Sequence, residues 1–258
     1  PARITLILEW KITGVDCRAS CRRRAAEVSG RAVDAARMGV GRRQQPDAAL
    51  IDRSRYDMDT RATVVFHFDF SSPYGYLGSE LIEALALRHR RSVIWRPMLL
   101  GVAFKATGTG PLTSVPMKGD YSRRDFARSA RFYGVPFRMP STFPIATHAA
   151  ARIVLRQRDG GADVAPLVHA LYRAFFNDDR DIANPETAAD IAAEAGVDRS
   201  RARAAIDDPA VKDALKREVD AALAQGVFGS PFVFVDGEPF WGVDRFDQIE
   251  RWLARGEF

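Results

Sequence analysis

The chain has 258 residues, of which 47% are hydrophobic and 28% are charged, and its formal net charge is +5 at pH 7. This length can bury a sizeable core in one large domain or two small ones. No apolar run in the sequence approaches the roughly 18–20 residues that span a bilayer, which excludes a transmembrane helix.

The positive charge is confined to the beginning of the chain. Residues 1–57 carry 12 Lys+Arg and 7 Asp+Glu, whereas residues 58–258 carry 26 of each. The larger part therefore offers no overall basic field to a nucleic acid, and we expect no nucleic-acid or membrane partner.

Residues 1–57 are rich in Arg and Ala, and their short apolar run at 4–8 precedes the charges, which is the wrong order for a secretory signal. We predict an N-terminal extension that is poorly ordered or not native to the protein, followed by a domain at 58–258 that begins at Met58. The alternative is a regulatory or partner-binding arm.

Cysteine occurs only within this first stretch, at Cys17 and Cys21. The spacing is not CxxC, so it is a weak signal for a metal or a redox pair. Because the domain that follows contains no cysteine, it cannot carry out dithiol exchange.

A buried strand that opens directly into a helix is predicted next. Thr63–Phe70 is a β-branched and aromatic run, typical of a strand covered on both faces. Ser71 and Ser72 suit a helix N-cap and Pro73 suits the first helical position. An ordinary capped helix explains this stretch, but it also places a serine at the positive end of a helix dipole, where an anion is stabilised.

The following pattern predicts a βαβ unit and then a run of helices. Its helix spans Pro73–Arg90 and its second strand, parallel to the first, spans Ser92–Arg96. Residues 98–119 are predicted to be a loop with one short helix around Leu99–Thr107. Further helices are predicted at Tyr121–Tyr133, Thr147–Arg158, Val164–Phe176, Asn184–Ala195, Arg199–Asp207 and Pro209–Gln225.

The chain ends with a second strand-rich segment. Ser230-Pro231 leads into a strand at Phe232–Val235, and an Asp-Gly turn, a short strand and a helix from Asp244 follow. Together these elements predict an α/β protein with a thioredoxin-like fold. Its core is expected at 62–100 and 226–256, with a large all-helical subdomain inserted at about 120–225.

Motifs at opposite ends of this domain carry a family resemblance. The sequence resembles the 2-hydroxychromene-2-carboxylate isomerases in Phe-Ser-Ser-Pro-Tyr at 70–74, Phe-Gly-Ser-Pro at 228–231 and Phe-Trp-Gly-Val-Asp-Arg at 240–245. These are relatives of kappa-class glutathione transferases and DsbA-like disulfide oxidoreductases. The resemblance covers about residues 62–256.

The resemblance implies an enzyme that uses glutathione as a catalyst. It would interconvert 2-hydroxychromene-2-carboxylate and trans-o-hydroxybenzylidenepyruvate by reversible thiolate addition, during the breakdown of naphthalene-like aromatics. It also implies a small aromatic carboxylate substrate, a cytoplasmic location and a homodimer. Two alternatives are a kappa-like transferase that conjugates electrophiles and a non-enzymatic glutathione-binding module.

The resemblance assigns the catalytic position to Ser72, whose hydroxyl would hold the glutathione thiol in its ionised form. Each unit by which the thiol pKa falls needs only about 1.4 kcal/mol of differential stabilisation. A helix terminus and a charge-assisted hydrogen bond can supply that. Ser71 is the rival donor, and the sequence alone does not exclude it.

The remaining positions would bind cofactor and substrate. The resemblance implies a cis proline at Pro231, with the Ser230 backbone binding the cofactor, whereas a trans proline at an edge strand is the alternative. The γ-glutamyl end of the cofactor would be bound by Trp241, Gly242, Val243 and Asp244, although Asp244 could simply cap the last helix.

For the substrate, Lys105 is the candidate to bind the carboxylate, unless it is merely a solvated lysine, and Phe143 would line the apolar side. The four histidines lack metal-ligand spacing, so no metal site is predicted.

Overall fold

The computed structural model describes residues 63–258, so the prediction for residues 1–57 and the boundary at Met58 lie outside the described residues. Among the residues that are described, no helix is long and apolar enough to cross a membrane.

A four-stranded mixed sheet forms the centre of the fold, in the order β2-β1-β3-β4. The β1 and β2 strands run parallel, as predicted for a βαβ unit, while β3 is antiparallel to both β1 and β4. The strands span Thr63–Phe68 (β1), Ser92–Pro97 (β2), Phe232–Val235 (β3) and Glu238–Trp241 (β4). The two ends of the domain are therefore joined through the pairing of β1 with β3.

Nine α-helices surround this sheet in the described part of the chain, and seven of them (α2 to α8) lie between β2 and β3 in sequence. They are Pro73–Arg88 (α1), Leu100–Thr107 (α2), Lys118–Tyr133 (α3), His148–Asp159 (α4), Ala165–Phe176 (α5), Pro185–Glu194 (α6), Arg199–Asp207 (α7), Pro209–Ala224 (α8) and Phe246–Arg255 (α9). The fold is the predicted thioredoxin-like sheet with an inserted helical subdomain.

The core lies mainly on one face of the sheet. The side chains of Val64, Phe66 and Phe68 alternate along β1 and pack with α1 and with the aromatic face of α5. Of two smaller clusters, one joins β3 to α8 and the other joins α8 to α4. Residues on both faces of β1 are buried, with Val65 half-buried, which accounts for its β-branched and aromatic sequence.

Two local predictions differ from the structure. The last helix begins at Phe246, after a 3₁₀ turn at Val243–Arg245, and Asp244 makes no side-chain capping hydrogen bond to it. A second 3₁₀ turn, at Leu112–Ser114, lies in the segment predicted as loop. In contrast, Asn184 caps α6 with its side chain, as its Asn-Pro-Glu sequence predicts.

Candidate functional site

Ser72 lies where β1 gives way to α1, and its hydroxyl is already hydrogen-bonded twice. As the N-cap of α1, Ser72 Oγ accepts the backbone N–H of Gly75 at 2.9 Å. The same hydroxyl donates to the carbonyl oxygen of Ser230 at 2.7 Å. Ser72 is 4% exposed but lies in the wall of a cavity, so a ligand reaches it only from that side.

Ser230 comes to this place from the far end of the chain. The Ser230–Pro231 peptide bond is cis, which confirms the expectation drawn from the resemblance. Pro231 is buried and packs near Gly78 of α1, whereas Ser230 lines the cavity. The pairing of β1 with β3 thus brings Ser72 and Ser230 into direct contact.

The rival hydroxyl, Ser71, has a different environment. It is half-buried and lines the cavity, and its Oγ accepts the backbone N–H of Ile145 at 3.3 Å. Both serines therefore face the same space, but only Ser72 caps the helix.

A buried carboxylate lies beneath both serines. Asp69 accepts hydrogen bonds from the N–H of Ser71 (2.7 Å), the N–H of Leu100 (2.6 Å) and the hydroxyl of Thr147 (2.9 Å). Burial raises the pKa of Asp69, and these three donors oppose that rise. Asp69 thereby ties the end of β1 to the starts of α2 and α4, which form walls of the cavity.

The cavity has a volume of about 950 Å³ and is lined mostly by apolar side chains. Its walls come from the β1–α1 turn, α2, α3, the start of α4 and the segments that flank β3 and β4. Aromatic and aliphatic lining residues include Phe104, Leu112, Phe126, Tyr133, Phe143 and Phe228. This is the size and character of a small-molecule site.

Trp241 and Phe228 form an aromatic rim beside Ser230. Their rings lie 4.8 Å apart in an edge-to-face arrangement, and Trp241 is 55% exposed. The indole lies over Gly229, where a Cβ would come within 2.3 Å of its nitrogen. Gly229 therefore allows the close approach of the indole to the backbone that precedes Ser230.

Gly242, Val243 and Asp244 also line the cavity. Gly242 has a positive φ of 103°, and the Val243 side chain is buried, so Val243 offers the cavity mainly its backbone. The exposed carboxylate of Asp244 lies 3.4 Å from the guanidinium of Arg245, which lines the cavity too. This wall thus carries one negative and one positive group side by side.

The two predicted substrate-binding residues have different positions. Phe143 is half-buried and lines the cavity, and the peptide bond between Phe143 and Pro144 is also cis. Lys105 lies on the exposed face of α2 and is not among the lining residues. The basic side chains in the lining are those of Arg245 and His148.

Sequence reasoning missed Asp69, Thr147 and Tyr172. Asp69 carried a detectable signal, an acid within the aromatic sequence at 66–70, three residues before the N-cap. Tyr172 carried none, because it lies on α5, 103 residues from the backbone oxygen that its hydroxyl contacts at 2.9 Å.

Residues 63–254 match the family described as the DSBA-like thioredoxin domain. A 2-hydroxychromene-2-carboxylate isomerase from Sphingobium xenophagum is 30% identical over 193 residues, which cover 74% of this chain and 97% of that protein. Glutathione S-transferase kappa 2 from Caenorhabditis elegans is 28% identical, over 76% of this chain and 94% of that protein.

The comparison with solved structures points to the same group of relatives. A selenomethionine 2-hydroxychromene-2-carboxylate isomerase aligns with a TM-score of 0.68 at 26% identity, over 75% of this chain and 95% of that one. The chain therefore belongs to the DSBA-like thioredoxin domain family, among the relatives that include 2-hydroxychromene-2-carboxylate isomerases and kappa glutathione transferases.

Proposed function

We propose that this protein is a glutathione-dependent isomerase that interconverts 2-hydroxychromene-2-carboxylate and trans-o-hydroxybenzylidenepyruvate. The observation that carries the proposal is the contact of Ser72 with Ser230 at one wall of a large apolar cavity. The isomerase relatives support the reaction, and the kappa transferase relatives support the cofactor.

The polar groups of the cavity fit the functional groups of glutathione. The N-terminus of α1 and the hydroxyls of Ser71 and Ser72 suit a thiolate. Asp244 and Arg245 form a pair of opposite charge, which suits the zwitterionic end of a γ-glutamyl peptide. Cysteine is absent from residues 58–258, so this domain supplies no thiol of its own and a bound molecule would supply it.

When bound, glutathione supplies a thiolate whose reversible addition converts a double bond into a freely rotating single bond. Ser72 would stabilise this thiolate by turning its O–H from the Ser230 carbonyl towards the sulfur. The Gly75 N–H would keep Ser72 Oγ in place while the proton changes its acceptor. The freed Ser230 carbonyl could then accept an N–H from the peptide backbone of the cofactor. The apolar walls would hold the aromatic ring and exclude water.

The reaction is tested by following the ultraviolet spectrum of 2-hydroxychromene-2-carboxylate with and without glutathione. We expect interconversion with the pyruvate isomer only when glutathione is present, and an unchanged glutathione concentration at the end. Equal rates without glutathione would contradict the proposed cofactor, and no interconversion at all would contradict the proposed reaction.

The role of Ser72 is tested by Ser72→Ala, with Ser71→Ala as the matched control. Loss of the Ser72 hydroxyl should lower turnover by about 10²-fold, as the loss of one preorganised donor does in other active sites. Ser71→Ala keeps the helix cap and should keep most of the activity. Full turnover in Ser72→Ala would contradict the assignment, and loss of activity in Ser71→Ala alone would transfer the role to Ser71.

The position of Lys105 favours a second candidate, a kappa-like glutathione transferase. Lys105 does not line the cavity, so the predicted partner of the substrate carboxylate is missing from the wall. The mostly apolar wall suits an uncharged electrophile. Incubation with glutathione and a chloronitrobenzene distinguishes the two, since net consumption of glutathione is expected only of a transferase.

A further inference from the structure

Two buried hydroxyls hold the backbone of Asp69 next to the candidate thiolate site. Tyr172 of α5 is fully buried, and its phenol donates to the carbonyl oxygen of Asp69 at 2.9 Å. The hydroxyl of Ser230 accepts the N–H of Asp69 at 3.0 Å. The hydroxyls of Ser230 and Tyr172 both face Gly75. We call the Tyr172 and Ser230 hydroxyls, with the Asp69 backbone, the hydroxyl bridge.

Gly75 provides the space for the hydroxyl bridge. A Cβ at this position would lie 2.7 Å from both Ser230 Oγ and the phenol oxygen of Tyr172, and 3.0 Å from the Cβ of Ser72. Such distances are far below a normal van der Waals contact, so a side chain here would displace a hydroxyl. The two hydroxyls thus lie directly against the first turn of α1, beside the N-cap.

The hydroxyl bridge joins the residue that holds the Ser72 backbone to the residue that accepts the Ser72 hydroxyl. The Asp69 carbonyl that accepts the phenol also accepts the N–H of Ser72, at 2.9 Å, and so fixes the turn that carries Ser72. Ser230, the other member of the bridge, supplies the carbonyl to which the Ser72 hydroxyl donates. A shift of Tyr172 would therefore move the turn and the acceptor relative to each other.

We propose that Tyr172 is a positioning residue for the thiolate site, acting through the Asp69 and Ser230 groups that orient the Ser72 hydroxyl. The proposal rests on the proposed glutathione-dependent function. Tyr172 itself does not line the cavity, so it acts without touching cofactor or substrate.

The test is Tyr172→Phe in the full chain, read out as the pKa of the bound glutathione thiol. The thiolate absorbs in the ultraviolet, so its fraction is measured against pH on the complex, and calorimetry gives the Kd for glutathione. We expect the thiol pKa to rise by about 0.5 to 1 unit, which is about three- to tenfold less thiolate below that pKa, because the Ser72 hydroxyl would be less well oriented towards the sulfur. The Kd should change less than the pKa does.

Tyr76→Phe is the matched control. Tyr76 is also buried, its ring lies 5.8 Å from that of Tyr172, and its phenol donates to the carbonyl of Pro136 at 2.8 Å, away from the bridge. The same atom is thus removed from the same aromatic cluster. Tyr76→Phe should lower stability without moving the thiol pKa.

The outcomes separate this proposal from the proposed function. A thiol pKa that moves equally in both variants, or in neither, overturns the role of Tyr172. If Tyr172→Phe does not fold, Ser230→Ala removes the other hydroxyl of the bridge and keeps its backbone, and an unchanged thiol pKa there also overturns it. A wild-type protein that binds no glutathione thiolate overturns the proposed function and this proposal together.

Discussion

His67 is a buried titratable side chain in the centre of the sheet. It is 2% exposed and packs edge-to-face on Phe234 of β3, with ring centroids 5.8 Å apart. Within residues 63–258, neither ring nitrogen has a hydrogen-bond partner. Burial, followed by the positive charge of Arg96, lowers the pKa of His67 to about 4. His67 is therefore neutral in the folded protein at neutral pH.

The stability of the protein should consequently fall as the pH drops from about 6.5 to 4. In this window the unfolded chain protonates His67 and the folded chain does not, so proton binding favours unfolding. The effect amounts to at most about 3 kcal/mol. Urea denaturation at a series of pH values should show this loss in the wild type and a flatter profile in His67→Leu.

His169 provides a control of opposite sign. Burial alone would lower its pKa, but the carboxylates of Glu80 and Glu83, which lie 3.5 and 2.6 Å from its two ring nitrogens, raise it above the usual value. His169 therefore contributes stability at low pH that is lost as the pH rises through its folded pKa. In His169→Gln this contribution should disappear. If the wild type and His67→Leu gave parallel profiles, the burial argument for His67 would be wrong.

At the scale of single residues, the sequence predicted those parts of the site that belong to local motifs. Ser72 is recognisable because a hydroxyl precedes a proline at a strand-to-helix junction, and Ser230 because it precedes the proline of a short strand. Tyr172 is one aromatic residue among several on α5, and nothing near it in sequence indicates its partner. Whether Lys105 faces the cavity depends on which side of α2 is turned inward. The sequence of this helix does not show that, because the helix has eight residues and only Ala103 among them is buried.

At the scale of elements, a buried carboxylate joins the helical insertion to the sheet. Glu218 of α8, with its side chain 9% exposed, contacts Arg158 of α4 at 2.7 Å and Arg96 of β2 at 3.0 Å. Burial alone would raise the pKa of Glu218, but the hydrogen bonds and charges of both arginines hold it below its usual value. One side chain thus links three elements.

Glu218→Gln should destabilise the protein by about 3 kcal/mol, because removing one partner leaves partly buried arginine charges without compensation. The free energy of unfolding in urea, with its m-value, measures this loss. Asp220→Asn on the same helix is the control, because Asp220 forms an exposed pair with Lys216. This control should cost less than about 0.5 kcal/mol. Equal losses would show that Glu218 contributes no more than a surface ion pair.

Most elements were predictable because their boundaries have local causes. Pro185 and Pro209 occupy the first positions of α6 and α8, each after a side chain that caps the helix. The start of α9 was misplaced because Asp244 resembles an N-cap in sequence, although its side chain lies beside Gly242 and Arg245 instead. Local pattern does not reveal a 3₁₀ turn that precedes a helix.

At the scale of the whole molecule, the family match accounts for only part of the chain. Residues 63–254 match the family, and the aligned segment covers 97% of the Sphingobium isomerase but 74% of this protein. The sequence before this segment also holds the whole excess of positive charge. The prediction that residues 1–57 are an extension thus concerns a part of the chain that such a relative lacks.

A shortened protein that begins at Met58 should therefore keep the stability and the activity of the full chain. If residues 1–57 contribute less than about 0.5 kcal/mol, the Tm should change by less than about 2 °C. The glutathione-dependent rate in the ultraviolet assay should also be the same for both proteins. Removal of the extension takes the formal net charge from +5 to zero, so weaker retention on a cation exchanger would confirm the change. A lower Tm, or a rate that changes in the shortened protein, would instead favour a regulatory arm.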